Sequence, residues 1–128
     1  MNKILITGHG HLPDSFNESI NMLMGYQTNV TTINFLDNMG VNELKSQISN
    51  YFDKNKNILV FCDLLGGTPF NVTSLIAKDR DDVEIVYGMN LPVILEAITN
   101  NEMNVKDMKQ HLSKIMTESI AFSDLNLS

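Results

Sequence analysis

Apolar runs alternate with amphipathic segments along this chain. The runs are rich in Ile and Val or end in an aromatic residue, which is typical of β-strands, and they lie at residues 4–7, 30–35, 58–62 and 83–87. The first, third and fourth runs are nearly continuous rather than alternating. That pattern predicts strands that are buried on both faces, as in a parallel sheet flanked by helices.

Signals for helix starts separate these strands. Ser15 and Glu18 have capping-box spacing, which predicts a helix that continues through Ile20 and ends at Gly25. Capping residues, two of them followed closely by proline, predict four more helix starts, at Asn42, Thr68, Asn90 and Asn104.

The regular alternation of strands and helices predicts the architecture. Right-handed crossovers confine such a chain to a parallel sheet with helices on both faces. We therefore expect an α/β fold over residues 1–128, a single domain with a flavodoxin-like doubly wound sheet of four parallel strands in the order 2-1-3-4. Residues 119–122 are expected to add a short fifth strand. In this architecture ligands bind at the carboxyl ends of the strands, where the winding reverses.

Composition narrows the possible functions. A chain of 128 residues with 43% apolar and 19% charged residues is ordinary for a soluble protein, and no segment reaches the roughly 20 apolar residues of a membrane span. The short apolar run at residues 4–6 is no secretory signal, and Cys62 has no partner for a disulfide, so we expect a cytoplasmic protein. A net charge of −6 argues against a nucleic-acid partner.

The carboxyl ends of the first and third predicted strands carry the candidate chemistry. Gly8-His9-Gly10-His11 follows the first, and Asp63 follows the third. These strands are neighbours in the order 2-1-3-4, so His9 and Asp63 should face each other. A carboxylate that accepts one ring N–H fixes the tautomer of an imidazole and leaves a lone pair on the other nitrogen, which makes histidine a nucleophile.

A small-residue turn follows Asp63. Gly66, Gly67 and Thr68 provide backbone amides at a helix N-terminus and a hydroxyl, which together form an anion cradle. Phosphate is the expected anion. The helix dipole alone contributes only about 0.3–1 kcal/mol to anion binding, so directed hydrogen bonds should supply most of the binding free energy. Arg80 is the sole arginine, so no cluster of arginines is available for this task.

At these residues the chain resembles the enzyme IIA (EIIA) component of the mannose family of the bacterial phosphoenolpyruvate-dependent sugar phosphotransferase system (PTS). The resemblance covers almost the whole chain in order and rests on Ile-Thr-Gly-His-Gly at 6–10, Ser-Ile-Asn-Met-Leu-Met-Gly at 19–25, Asp-Leu-Leu-Gly-Gly-Thr-Pro-Phe-Asn at 63–71 and Gly-Met-Asn-Leu-Pro at 88–92.

The resemblance implies a cytoplasmic phosphotransferase that works in sugar uptake without a cofactor or metal. It would accept a phosphoryl group from HPr on His9 and pass it to a IIB component, with Asp63 orienting the ring and Thr68 providing the hydroxyl. The membrane is reached only indirectly, through the IIC and IID components. The resemblance also implies a homodimer in which an antiparallel strand near 119–122 is exchanged.

Two departures affect the partner. Some relatives carry tryptophan where this chain has Leu65, which leaves the IIB-facing surface open. No linker or fused IIB domain follows the pattern before Ser128, so we expect the IIB partner to be a separate polypeptide. The transported sugar cannot be read from a component that does not contact it.

Simpler interpretations stand beside each of these. His11 is expected to be a solvated bystander at the rim, although a His-x-His metal site with Asp14 or Asp63 is an alternative. Asp63 could only cap the following turn, and Gly66 and Gly67 could serve turn geometry alone. Cys62 is expected to be a buried structural thiol.

Other phosphate chemistries fit less well. A P-loop requires Gly-Lys-Ser/Thr after its glycines, and residues 8–15 contain no lysine. Phosphatases with a nucleophilic histidine after the first strand resemble Arg-His-Gly, whereas Gly8 occupies the arginine's place here. A further alternative is a non-catalytic regulatory module of the same fold that retains the phosphoryl group as a signal.

Overall fold

In the computed structural model, residues 1–125 are described, and they form alternating strands and helices. The strands are β1 (Lys3–His9), β2 (Val30–Phe35), β3 (Ile58–Cys62) and β4 (Val83–Tyr87). The helices are α1 (Leu12–Met24), α2 (Val41–Lys54), α3 (Thr68–Ala77), α4 (Leu91–Thr99) and α5 (Val105–Met116).

The four strands form one parallel sheet in the order β2-β1-β3-β4, which confirms the predicted order. The register pairs His9 with Phe35 of β2 and Thr7 with Cys62 of β3. The carboxyl ends of β1 and β3 are therefore adjacent, as the topology required.

Helices cover both faces of the sheet and enclose two apolar cores. On one face Ile4 and Ile6 pack with residues of α1, α4 and α5, including Ile20, Ile94 and Met108. On the other face Leu5 packs with residues of α2 and α3, including Leu44, Ile48 and Val72. Successive strand residues point to opposite faces, so the continuous apolar run of β1 serves both cores.

The expected burial of the strands is right for two of the three. The central residues of β1 and all of β3 are buried, but β4 is only half-buried and ends in the exposed Tyr87. β4 lies at the edge of the sheet, where one side has no neighbouring strand. Position in the sheet, rather than composition, decides its exposure.

Three predicted helix starts are wrong by one to four residues. α1 begins at Leu12 rather than after Ser15, with Pro13 in its first turn. α2 begins two residues and α3 one residue earlier than expected, with Gly40 and Gly67 at their N-caps. Glycine is an acceptable N-cap because it reaches the extended backbone conformation without a competing side chain.

The other two helix starts are confirmed. Asn90 caps α4 by accepting a hydrogen bond from the backbone N–H of Val93 (3.1 Å). Asn104 caps α5 in the same way through the N–H of Asp107 (2.9 Å). Asn90 also donates to the hydroxyl of Ser119 (2.9 Å), which fixes the start of the C-terminal segment beside the N-terminus of α4.

The expected fifth strand is not formed within this single chain. Residues 119–122 follow α5 as irregular backbone, and the side chains of Ile120 and Phe122 are exposed. A strand exchanged between subunits needs a second copy to pair with, so that expectation stays a prediction. The final residues, 126–128, including the predicted domain end at Ser128, lie outside the described part of the chain.

Candidate functional site

His9 is the last residue of β1 and Asp63 directly follows β3, so the sheet brings them together at its carboxyl edge. Asp63 Oδ2 lies 2.9 Å from His9 Nδ1 and also accepts the backbone N–H of His9 at 2.9 Å. The side chain of His9 is 47% exposed, whereas that of Asp63 is only 11% exposed. The carboxylate is thus fixed inside the rim, and the imidazole faces outward.

This geometry selects one nitrogen of the ring. An ionised carboxylate only accepts hydrogen bonds, so the neutral imidazole facing Asp63 carries its hydrogen on Nδ1. Nε2 then holds the free lone pair. His9 and Asp63 therefore face each other, as the strand ends predicted.

Gly67 lies against the other side of the ring. A Cβ at this position would be 2.9 Å from His9 Cε1 and 3.7 Å from Nε2. The backbone of Gly67 is extended (φ −72°, ψ 163°), a conformation open to any residue, so space rather than conformation favours glycine here. His9 Nε2 therefore lies beside the N-terminus of α3.

The N-terminus of α3 has the features of an anion site. No side chain caps it, and its first turn contains no acidic residue. Gly66 takes a left-handed conformation (φ 79°), and its carbonyl accepts a hydrogen bond from Asn71 Nδ2 (3.0 Å), which fixes the turn. Thr68 is the first residue of the helix and is half-buried. Free amides at such an end attract negative charge.

Sequence analysis did not identify the roles of two residues near His9. The ring of Phe35 packs against the imidazole in an edge-to-face arrangement, with centroids 5.9 Å apart and planes inclined by 70°. A Cβ at Gly8 would lie 2.8 Å from Asp63 Cγ. The predicted strand order makes β1 and β2 neighbours. The pairing of their last residues, His9 and Phe35, was therefore the feature of the sequence that could have identified Phe35.

His11 lies apart from the His9–Asp63 pair. It is exposed, and its Nδ1 is 3.4 Å from Nδ2 of Asn34 on β2. Asp14, in the first turn of α1, accepts from Thr32 Oγ1 (2.6 Å) and from Asn34 Nδ2 (2.8 Å). These donors hold the pKa of Asp14 below its usual value. His11 is thus the rim residue that was expected.

Cys62, the last candidate from the sequence, lies in the protein interior. Cys62 is fully buried, and burial raises the pKa of its thiol to about 12, as expected for a structural cysteine. Among residues 1–125, no group of three or more His, Cys, Asp or Glu side chains could hold a metal ion. None of the helices described is long and apolar enough to cross a membrane.

The fold and the site together define a class of protein, a doubly wound α/β domain with a carboxylate-oriented histidine beside an uncapped helix N-terminus. Comparison with known proteins makes the assignment specific. A family model described as the PTS system fructose IIA component (EIIA-man) matches residues 3–116. The chain therefore belongs to the mannose-type EIIA family of the PTS.

Individual relatives agree with this assignment. The chain is 32% identical over 119 residues to the sorbose-specific EIIA component of Lacticaseibacillus casei, covering 91% of this chain and 86% of that protein. It is 31% identical over 99 residues to the mannose-specific EIIAB component of Escherichia coli K12, covering 74% of this chain and 30% of that protein. The crystal structure of a PTS EIIA from Streptococcus agalactiae superimposes with a TM-score of 0.90 at 34% identity, covering 95% of this chain and 97% of that one.

Proposed function

We propose that this chain is a phosphocarrier in which His9 Nε2 accepts a phosphoryl group from phospho-HPr and passes it to a IIB component during sugar uptake. The observation that carries the proposal is the position of Nε2. Asp63 occupies Nδ1, and Nε2 is left with a lone pair beside the N-terminus of α3.

In the first transfer, the lone pair of Nε2 forms the new N–P bond while the bond between phosphorus and the donor protein breaks. The proton on Nδ1 stays hydrogen-bonded to Asp63, which stabilises the positive charge that develops on the ring. Transfer to the IIB component reverses these events with a new acceptor. Phosphoryl transfer passes through a loose in-line transition state, so positioning and charge stabilisation carry the catalysis.

The phosphoryl oxygens are assigned to Gly66, Gly67 and Thr68. Gly66 and Thr68 offer backbone amides and Thr68 a hydroxyl at the start of α3, where no acidic side chain competes for the helix end. The Gly67 amide donates to the Leu64 carbonyl at 3.2 Å, so it reaches a phosphoryl oxygen only by giving up that bond. The affinity of such a site for phosphate is modest, because binding rests on hydrogen bonds and a helix dipole without a clustered set of cations. Modest affinity suits a carrier that passes the phosphoryl group on to another protein.

Names of relatives support the partner assignment. The mannose-specific relative from Escherichia coli is named EIIAB, and the matched region is 30% of its length. The sorbose-specific and fructose-specific relatives are named EIIA alone, and the match covers 86% and 84% of them. These names support a IIB component as the partner. We further propose a cytoplasmic location, with the membrane reached only through the IIC and IID components.

A homodimer is part of the proposal. β4 lies at the sheet edge, and beside it a groove of about 330 Å³ is lined largely by apolar residues of β4 and α5, including Val86, Leu112 and Met116. Ile120 and Phe122 are exposed and alternate with small residues, as in a strand with one apolar face. Exchange of residues 119–122 would cover the edge of β4 and fill this groove.

The decisive experiment is phosphorylation with labelled phosphoenolpyruvate, enzyme I and HPr. We expect an acid-labile label that is absent from His9→Ala and present in His11→Ala, and equal labelling of both variants would refute the assignment. A chase with a IIB protein then separates a carrier from a regulatory module. A carrier loses its label to IIB, whereas a regulatory module retains it.

A further inference from the structure

The contact between Phe35 and His9 joins the site to the apolar core beneath it. Phe35 is the last residue of β2 and pairs with His9 in the sheet register. Its carbonyl accepts the backbone N–H of Gly10 at 2.8 Å, which fixes the chain on the far side of His9. Its half-buried ring packs on the core formed with α2 and α3.

The hydrogen bond to Asp63 does not by itself fix the imidazole. The second side-chain torsion of histidine is broad, and nearly half of this side chain is exposed. A single bond at Nδ1 leaves the ring free to tilt about that contact. Gly67 leaves the space beside Cε1 open to the ring, so the edge-to-face contact with Phe35 supplies the second restraint.

We propose that Phe35 is a positioning residue for His9, which holds the imidazole so that Nε2 points to the start of α3. The role of this orientation in phosphoryl transfer rests on the function proposed above. Asp63 selects the tautomer, Gly67 leaves space for the ring, and Phe35 fixes its tilt. Phe35 thus acts through His9 rather than on the phosphoryl group.

The chain contains a matched control. Phe70 is also half-buried, packs on the same core and makes an edge-to-face contact, with Tyr87, at 5.8 Å and 85°. Phe70→Leu removes the same atoms from the same core as Phe35→Leu, and its aromatic partner is not His9. Phe35→Tyr retains the ring and is the conservative rescue variant.

The test measures ring-nitrogen NMR shifts of His9 and the kinetics of transfer from phospho-HPr. In Phe35→Leu we expect the tilted ring to weaken its Nδ1 hydrogen bond to Asp63, which moves the ring-nitrogen shifts of His9 away from their wild-type values, and kcat to fall about 2- to 12-fold, the range that corresponds to one aromatic pair, with KM unchanged. Phe70→Leu and Phe35→Tyr should match the wild type in both. Thermal unfolding of the two leucine variants checks that they lose similar stability.

Three outcomes would overturn the proposal: unchanged ring-nitrogen shifts or an unchanged kcat in Phe35→Leu, equal changes in Phe70→Leu, or a change confined to KM, which would make Phe35 a docking contact. If the wild type accepts no phosphoryl group, the proposed function fails. The NMR comparison still decides whether Phe35 orients His9.

Discussion

The imidazole of His9 occupies the space into which a side chain at Gly67 would project. The Cβ of an alanine at 67 would lie 2.9 Å from His9 Cε1, closer than carbon atoms approach without displacement. The extended backbone of Gly67 accepts alanine, so the cost of a substitution falls on the position of the ring. This contact makes Gly67 a direct probe of how closely transfer depends on the place of His9.

Gly67→Ala should lower the rate of phosphoryl transfer to His9 by about 10- to 100-fold, because small misplacements of a reacting group have effects of this size. Rapid-quench measurement with phospho-HPr gives the rate. Gly40→Ala is the control, since Gly40 also has an extended backbone at a helix N-cap and nothing within 4 Å of its Cβ position. Equal rates in the two variants would contradict the proposed site.

Asp63→Asn should slow transfer by at least about tenfold and change the unfolding temperature little. The amide leaves the shape of the site intact but removes the negative charge that faces the imidazole. Asp107→Asn is the control, because Asp107 is an exposed carboxylate in the first turn of another helix, α5. Wild-type transfer in Asp63→Asn would refute the orienting role.

Phe122→Glu should shift the protein from dimer to monomer in sedimentation velocity. The side chain is fully exposed in the single chain, so the substitution removes no contact within one subunit and acts only on a partner. The control is Leu75→Glu, which changes another exposed apolar side chain, on α3, and should leave the dimer intact. A dimer that persists in Phe122→Glu at micromolar concentration would count against strand exchange.

Stability in acid should depend on Asp82. Its two carboxylate oxygens accept from the Arg80 guanidinium at 2.8 and 2.9 Å, and these bonds hold the pKa of Asp82 well below its usual range. A group with a lowered pKa in the folded state stabilises the protein above its unfolded pKa, about 3.9, and this contribution is lost as the pH falls further.

Asp82→Asn should therefore lower the free energy of unfolding at pH 7 by about 1–2 kcal/mol. The difference from the wild type should shrink as the pH falls below 4. Urea titrations at several pH values measure both effects. Asp79→Asn, in the same turn, is the control, and a constant difference at all pH values would exclude the linkage.

The sequence was sufficient for the strand order and for the pairing of His9 with Asp63, because both follow from where apolar runs end in a doubly wound sheet. It misplaced the start of α1, where Pro13 in the first turn outweighed the capping-box spacing at Ser15. The burial of β4 was overestimated because it was inferred from composition, although the predicted order 2-1-3-4 already placed this strand at an edge. The packing of Phe35 on the imidazole and the space that Gly67 leaves for it depend on register and side-chain rotamers, which local sequence patterns do not encode.

The two helix ends at the rim differ in charge. α1 begins just after His9 and already carries a carboxylate in its first turn, Asp14, which Thr32 and Asn34 hold in place. α3 has no such carboxylate. In the proposed transfer, the start of α3 attracts an incoming dianion more strongly than the start of α1, so the helix dipoles and Asp14 together favour one direction of approach to His9 before any partner protein docks.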